Sequence, residues 1–209
     1  MSRHLFITLE GSEGCGKSTQ IQLLQKYLRR KGRRVFATRE PGGTRLGEAI
    51  RNVLLDPKNG AVSARTETLL YMASRAALTE QVILPHLKKE IVICDRWLDS
   101  TVAYQGYARG LDAKWIRALA REATQGLVPD LTLYLDLPVA AGMKRIASRK
   151  KDRIERKGLA YHERVRRGFL KIAALEPRRF KRLALSAGES VQAVHARIVQ
   201  EVDRVLRRH

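Results

Sequence analysis

This chain has little of several things. Only two cysteines occur in 209 residues, Cys15 and Cys94, far apart and without a C-x-x-C spacing. That excludes a disulfide framework and a thiolate zinc site of the usual spacing, and implies a reduced, cytoplasmic setting. No apolar run approaches bilayer length, which excludes a spanning helix. Met1-Ser2-Arg3-His4 leads straight into apolar sequence, so no signal peptide is expected. Aromatics make up 6% of the residues, and acids are outnumbered, 21 Asp and Glu against 41 Lys and Arg. A net charge of +20 invites a nucleic-acid reading. Yet no nucleic-acid-binding motif is present and aromatics for base stacking are few. Much of the positive charge falls on helices as solvated faces, so no dedicated nucleic-acid partner is expected. Internal repeats and low-complexity linkers are also lacking.

What is present begins with Gly11-Ser12-Glu13-Gly14-Cys15-Gly16-Lys17-Ser18-Thr19, which fits G-x-x-x-x-G-K-[ST]. The apolar run Leu5–Leu9 before it reads as a strand. Ile21, Leu24 and Leu28 after it recur at helical spacing up to Gly32. A strand, a glycine-rich turn and a helix N-terminus in that order form an anion site. Gly11 to Thr19 are therefore expected to cradle the phosphates of a nucleoside triphosphate. Lys17 would reach the β- and γ-phosphates, with the Ser18 hydroxyl on Mg²⁺. Strand patterns recur at Arg34–Thr38, Ile91–Asp95, Leu131–Asp136 and Arg182–Leu185, with helical periodicity between them. This alternation predicts one α/β domain over 1–209, with a five-stranded parallel sheet flanked by helices on both faces. The crevice should lie at the C-terminal strand ends.

Asp95 closes an apolar strand, where a carboxylate either partners Mg²⁺ or caps the following turn. Arg96 follows it and would face the phosphates. Ser100, Tyr104 and Gln105 lie close behind as hydrogen-bonding groups suited to a base or sugar. Tyr71 and Arg75 stand four apart, on one face of a helix capped by Ser63 or Thr66.

Together these segments resemble the thymidylate kinase family. The matching segments are the phosphate loop after Leu9-Glu10, Thr38–Thr44, Tyr71–Arg75, Asp95–Gly106, Pro129–Asp136 and Asp152–Glu155, in one register over nearly the whole chain. The resemblance implies a P-loop kinase fold and transfer of the ATP γ-phosphoryl group to dTMP, with Mg²⁺ as cofactor, in a homodimer joined through helices in the middle of the chain. Lys17, Asp95 and Arg96 would belong to the catalytic set. It also implies that Arg51 and Arg96 hold the dTMP phosphate, Tyr71 stacks on thymine, and Arg75 and Gln105 bond its polar edge. Tyr104 would close the deoxyribose side, with Ser100 beside it. Glu40 and Pro41 would border the pocket, and Glu10 would lie near the acceptor phosphate or metal. One subgroup of the family carries an arginine in the phosphate loop, at the place of Gly14 here. The positive charge is then expected from a mobile lid at about 148–160, through Arg149 and Arg153, with Lys150 and Lys151 as solvated neighbours. The rival readings are a kinase for another nucleoside monophosphate and a DNA-associated ATPase.

Overall fold

In the computed structural model, which describes residues 4–208, five strands make one parallel sheet. They are β1 (Phe6–Gly11), β2 (Val35–Arg39), β3 (Ile91–Asp95), β4 (Leu131–Asp136) and β5 (Phe180–Ala184), in the order β2-β3-β1-β4-β5. Met1–Arg3, on which the reading of the chain start partly rests, lie outside the described residues. The principal helices are α1 (Lys17–Arg30), α2 (Arg45–Leu55), α3 (Ala64–Leu78), α4 (Leu84–Leu87), α5 (Leu98–Thr101), α6 (Ala113–Ala123), α7 (Val139–Arg145), α8 (Leu159–Leu175) and α9 (Val191–Leu206). No described helix is long and apolar enough to cross a membrane.

Both faces of the sheet are covered, which explains the near-continuous apolar runs of its strands. Residues two apart on a strand share a face. Leu5, Ile7 and Leu9 therefore pack with Ile91 and Ile93, with Leu131, Leu133 and Leu135, and with the apolar stripes of α1 and α9. The opposite face carries Phe6, Val92, Cys94, Tyr134 and Phe180, but also polar groups. Thr8 and Thr132 are fully buried there and share a hydrogen bond of 2.8 Å. Arg179 donates to both oxygens of buried Asp99, at 2.7 and 2.8 Å, tying α5 to the end of β5. This polar face leads toward the functional end of the sheet.

β1 is central, with β3 on one side and β4 on the other. The chain order reverses at β1, so a crevice opens at its carboxyl end, where the phosphate loop emerges. Two short π-helical segments, Thr79–Ile83 and Val102–Tyr107, extend α3 and α5. Periodicity alone predicts ordinary helix at both places. Such wide turns occur often at functional sites because they re-aim side chains. Ser63, not Thr66, caps α3, accepting from the Thr66 amide at 3.0 Å, and Asp112 caps α6.

Candidate active site

A cleft of about 520 Å³ lies at the carboxyl end of the sheet. Glu13–Thr19, Glu40, Pro41, Arg51, Tyr71, Arg75, Asp95, Arg96, Ser100, Tyr104, Gln105 and Arg149 all line it. Segments from across the sequence thus converge on one space, within the range of pockets that hold small ligands.

The phosphate loop wraps the amino end of α1. Gly16 occupies the N-cap position at φ 94, and no side chain caps the helix, so its first-turn amides stay free for an anion. Gly14 has φ 71, and a Cβ added there would collide with the Gly142 carbonyl of α7. An arginine therefore cannot be placed at this point of the loop as the loop is packed here. Lys17 is buried and donates to the Gly11 and Ser12 carbonyls, at 3.1 and 3.4 Å, so its ammonium spans the loop. Gly11 and Ser12 contribute these carbonyls but do not line the cleft.

Ser18 Oγ lies 3.4 Å from Asp95 Oδ2, while Asp95 Oδ1 is buried without a hydrogen-bond partner. A hydroxyl beside an orphaned carboxylate oxygen suits Mg²⁺, which takes one or two protein oxygens and completes its shell with water and phosphate.

Arg96 has φ 69, a left-handed conformation that costs a non-glycine residue about 1 kcal/mol. Its guanidinium is thereby held against Glu13 at 2.5 Å, donates to Ser100 Oγ at 3.1 Å and lies 5.3 Å from the Tyr104 ring centroid. Burial alone would raise the Glu13 carboxyl, but the charges of Arg96 and Lys17 override it and hold it at about 2. An ionised Glu13 and an incoming phosphate compete for the same cation.

The buried floor is a paired network. Glu40 Oε2 accepts from Arg75 at 2.8 Å, its other oxygen lies 2.7 Å from Arg75 Nε as an ion pair, and Arg75 also donates to Thr101 at 2.9 Å. Arg51 donates to the Pro41 carbonyl at 3.0 Å. Gln105 Nε2 donates to Glu67 at 3.0 Å.

Two of the expected site residues, Glu10 and Arg153, lie off the cleft. Glu10 is fully buried and does not line the cleft. It accepts from the Trp97 amide at 2.8 Å and from Ser100 Oγ at 2.6 Å, clamping the turn that carries Arg96. Arg153 does not line the cleft either. Its guanidinium donates to Glu67 at 2.7 Å and to the Leu54 carbonyl at 2.8 Å. The segment around it is anchored by Ile154, which is buried in the core beside Tyr161 and Val165. Charge density concealed that single apolar contact. Arg149 is exposed at the cleft and pairs with Glu155.

Arg145 and Glu67 escape a motif-based reading. Arg145 bridges the Gly14 and Ala187 carbonyls at 3.2 and 2.9 Å and lines the cleft. A signal for Glu67 existed: residues 67, 71 and 75 recur every four positions, which places them along one helix face.

Burial, with the charge of Asp99 next in size, pushes the Glu10 carboxyl up to about 8. A folded pKa above the unfolded value means that the folded chain holds the extra proton. Stability from this group is full below about pH 4.5 and is lost as pH rises through about 8. Relative to the parent, Glu10→Gln is expected to flatten the fall in Tm between pH 5 and 8, as read by thermal melts across that range. An unchanged slope would show that Glu10 is ionised throughout.

Residues 9–198 match the thymidylate kinase family. The chain is 43% identical over 202 residues to the thymidylate kinase of Thermoanaerobacter sp. (strain X514), covering 96% of this chain and 98% of that one. It is 48% identical over 200 residues to that of Deinococcus radiodurans, covering 95% and 96%. The crystal structure of thymidylate kinase from Ehrlichia chaffeensis superposes with a TM-score of 0.77 at 33% identity, covering 97% of this chain and 99% of that one. With the family model spanning most of the chain and these relatives matching nearly its whole length, the chain belongs to the thymidylate kinase family.

Proposed function

We propose that the cleft holds ATP and dTMP end to end and transfers the γ-phosphoryl group from one to the other, giving ADP and dTDP. The observation that carries this reading is the placement of Arg96. It stands between the phosphate loop, through Glu13, and the pocket wall, through Ser100 and Tyr104. An ATPase has no use for the polar side chains that line the cleft beyond the phosphate loop.

Phosphoryl transfer asks the protein for position and positive charge, and for no covalent chemistry. The loop amides and Lys17 hold the donor phosphates. Arg96 and Arg51 take the acceptor phosphate, which displaces Glu13 from Arg96 and leaves that carboxylate free for a sugar hydroxyl. Tyr71 provides a flat face for the thymine ring, Arg75 meets a carbonyl oxygen, and Gln105 meets the remaining edge. Tyr104 packs beside Ser100 at the sugar. Arg149 brings a cation to the transferred group from the lid, while Arg153 anchors that lid to α3. Ser18 and Asp95 would hold Mg²⁺, which neutralises charge on the donor phosphates when bound.

This reading is tested by measuring ADP formation from ATP with a panel of monophosphates. Clear preference for dTMP over dCMP and dGMP is expected; DNA-stimulated hydrolysis without any acceptor would reject it. Asp95→Asn is expected to raise the Mg²⁺ concentration for half-maximal activity by roughly tenfold or more, with Tm retained. An unchanged Mg²⁺ titration would remove Asp95 from the metal site.

The proposed assembly is a homodimer. Leu46 and Val53, seven apart on α2, and Leu69 on α3 are all about half exposed, an apolar surface suited to a second copy. With both cysteines unpaired and buried, the reading is of a cytoplasmic enzyme.

A further inference from the structure

Glu67 is fully buried on α3 and does not line the cleft, yet it gathers three groups from two other parts of the chain. Arg153 of the lid and Arg109 pair with it at 2.7 and 2.8 Å, and Gln105 donates its Nε2 to it at 3.0 Å. Burial opposes ionisation of this carboxyl, but the hydrogen bonds from Gln105 and Arg153, with the charges of Lys157 and Arg109, hold it below the usual range. An ionised carboxylate can only accept. Gln105 must therefore turn its amide nitrogen to Glu67, and the oxygen Oε1 is the amide atom left for a ligand in the cleft that Gln105 lines.

We propose that Glu67 is a specificity-determining positioning residue: by fixing the Gln105 amide, it makes the pocket select a pyrimidine that carries N3–H. This rests on the reading of Gln105 as a base contact. The imide edge of thymine or uracil presents carbonyl, N–H, carbonyl in sequence. Its N3–H donates to a fixed Oε1, and a neighbouring carbonyl accepts from Arg75. Cytosine presents an amino group and a bare N3 at the same places. Its N3 lone pair meets the Gln105 oxygen, and its amino group meets the Arg75 guanidinium, so neither polar group is matched. A free glutamine would flip and accept either base; one held by an ionised carboxylate does not. Glu67 thus shapes selectivity without touching substrate. Thymine and uracil share the imide edge, so Glu67 does not separate them.

The test is the ratio of kcat/KM for dTMP to that for dCMP, taken on one preparation so that partial unfolding affects both acceptors alike. In Glu67→Gln the new amide can donate as well as accept, and Gln105 is released to flip. The ratio is expected to fall roughly tenfold or more, the scale of one unmatched buried hydrogen bond, mainly through a higher KM for dTMP and a lower KM for dCMP with kcat for dTMP largely kept. Arg109→Met removes a cation but keeps the Gln105 bond. It should lower Tm and leave the ratio alone. The double variant Glu67→Gln/Arg109→Met removes a stranded cation together with the carboxylate and supplies the ratio if Glu67→Gln alone does not fold. An unchanged ratio in either folded Glu67 variant overturns the proposal, as does a fallen ratio in Arg109→Met. Gln105→Ala separates this from the underlying reading. If it alters the ratio while the Glu67 variants do not, only the role of Glu67 fails. If it leaves the ratio unaltered, Gln105 is not a base contact.

Discussion

Arg96→Ala is expected to lower kcat/KM for dTMP roughly 10³-fold, the scale seen when one arginine is removed from around a transferring phosphoryl group. ATP affinity should change little, because Lys17 and the loop amides remain in place. Arg96 combines three features that rarely meet in a residue kept only for structure. It is left-handed at φ 69, largely buried, and aimed at a carboxylate that a phosphate can displace. The backbone conformation allows a second comparison. Alanine at φ 69 keeps the strain, whereas glycine relieves about 1 kcal/mol of it. Arg96→Gly should therefore be no less stable than Arg96→Ala and equally inactive. Steady-state kinetics with thermal melts on both variants separates the two contributions. A loss of less than tenfold would remove Arg96 from the phosphate-binding set.

The lid arginines should behave in opposite ways. Arg149→Ala is expected to lower kcat by roughly 10²- to 10³-fold with little change in KM for dTMP or in Tm, since its side chain is exposed and its pairing with Glu155 lies at the cleft rim. Arg153→Ala leaves Glu67 with Arg109 and Gln105 but removes a buried ion pair and the bond to the Leu54 carbonyl. It should cost about 2–3 kcal/mol of stability. Turnover should fall less than in Arg149→Ala. If Arg153→Ala instead melts like the parent and loses most of its turnover, Arg153 leaves Glu67 to reach the phosphates, and the anchoring role assigned to it is wrong.

Much of this site was readable from local pattern. The phosphate loop, Asp95-Arg96 and the four-residue spacing of Tyr71 and Arg75 are short motifs whose geometry follows from strand and helix periods. Parallel strands and helices on both faces followed from their alternation. What escaped depended on contacts between distant segments. Glu10 reads as a site acid because it precedes the loop, but strand alternation turns it to the sheet face under Trp97 and Ser100, where it clamps backbone. Arg153 lies in a run of charges that looks wholly solvated, and only the fold reveals that α3 places a carboxylate opposite it. Arg145 reaches Gly14 from 131 positions away, which no spacing rule anticipates. The wide helical turn at Val102–Tyr107 was also hidden, because its residues are compatible with ordinary helix and only packing against α8 gives it reason.

A crystal structure with dTMP and a non-hydrolysable ATP analogue bound together examines the end-to-end arrangement itself. The thymine ring should lie on Tyr71 with its edge toward Arg75 and Gln105, the acceptor phosphate on Arg96 and Arg51, and the γ-phosphate facing it above Lys17. Protein side chains filling the space beside Tyr71 and Arg75, or an acceptor phosphate bound away from Arg96, would contradict it.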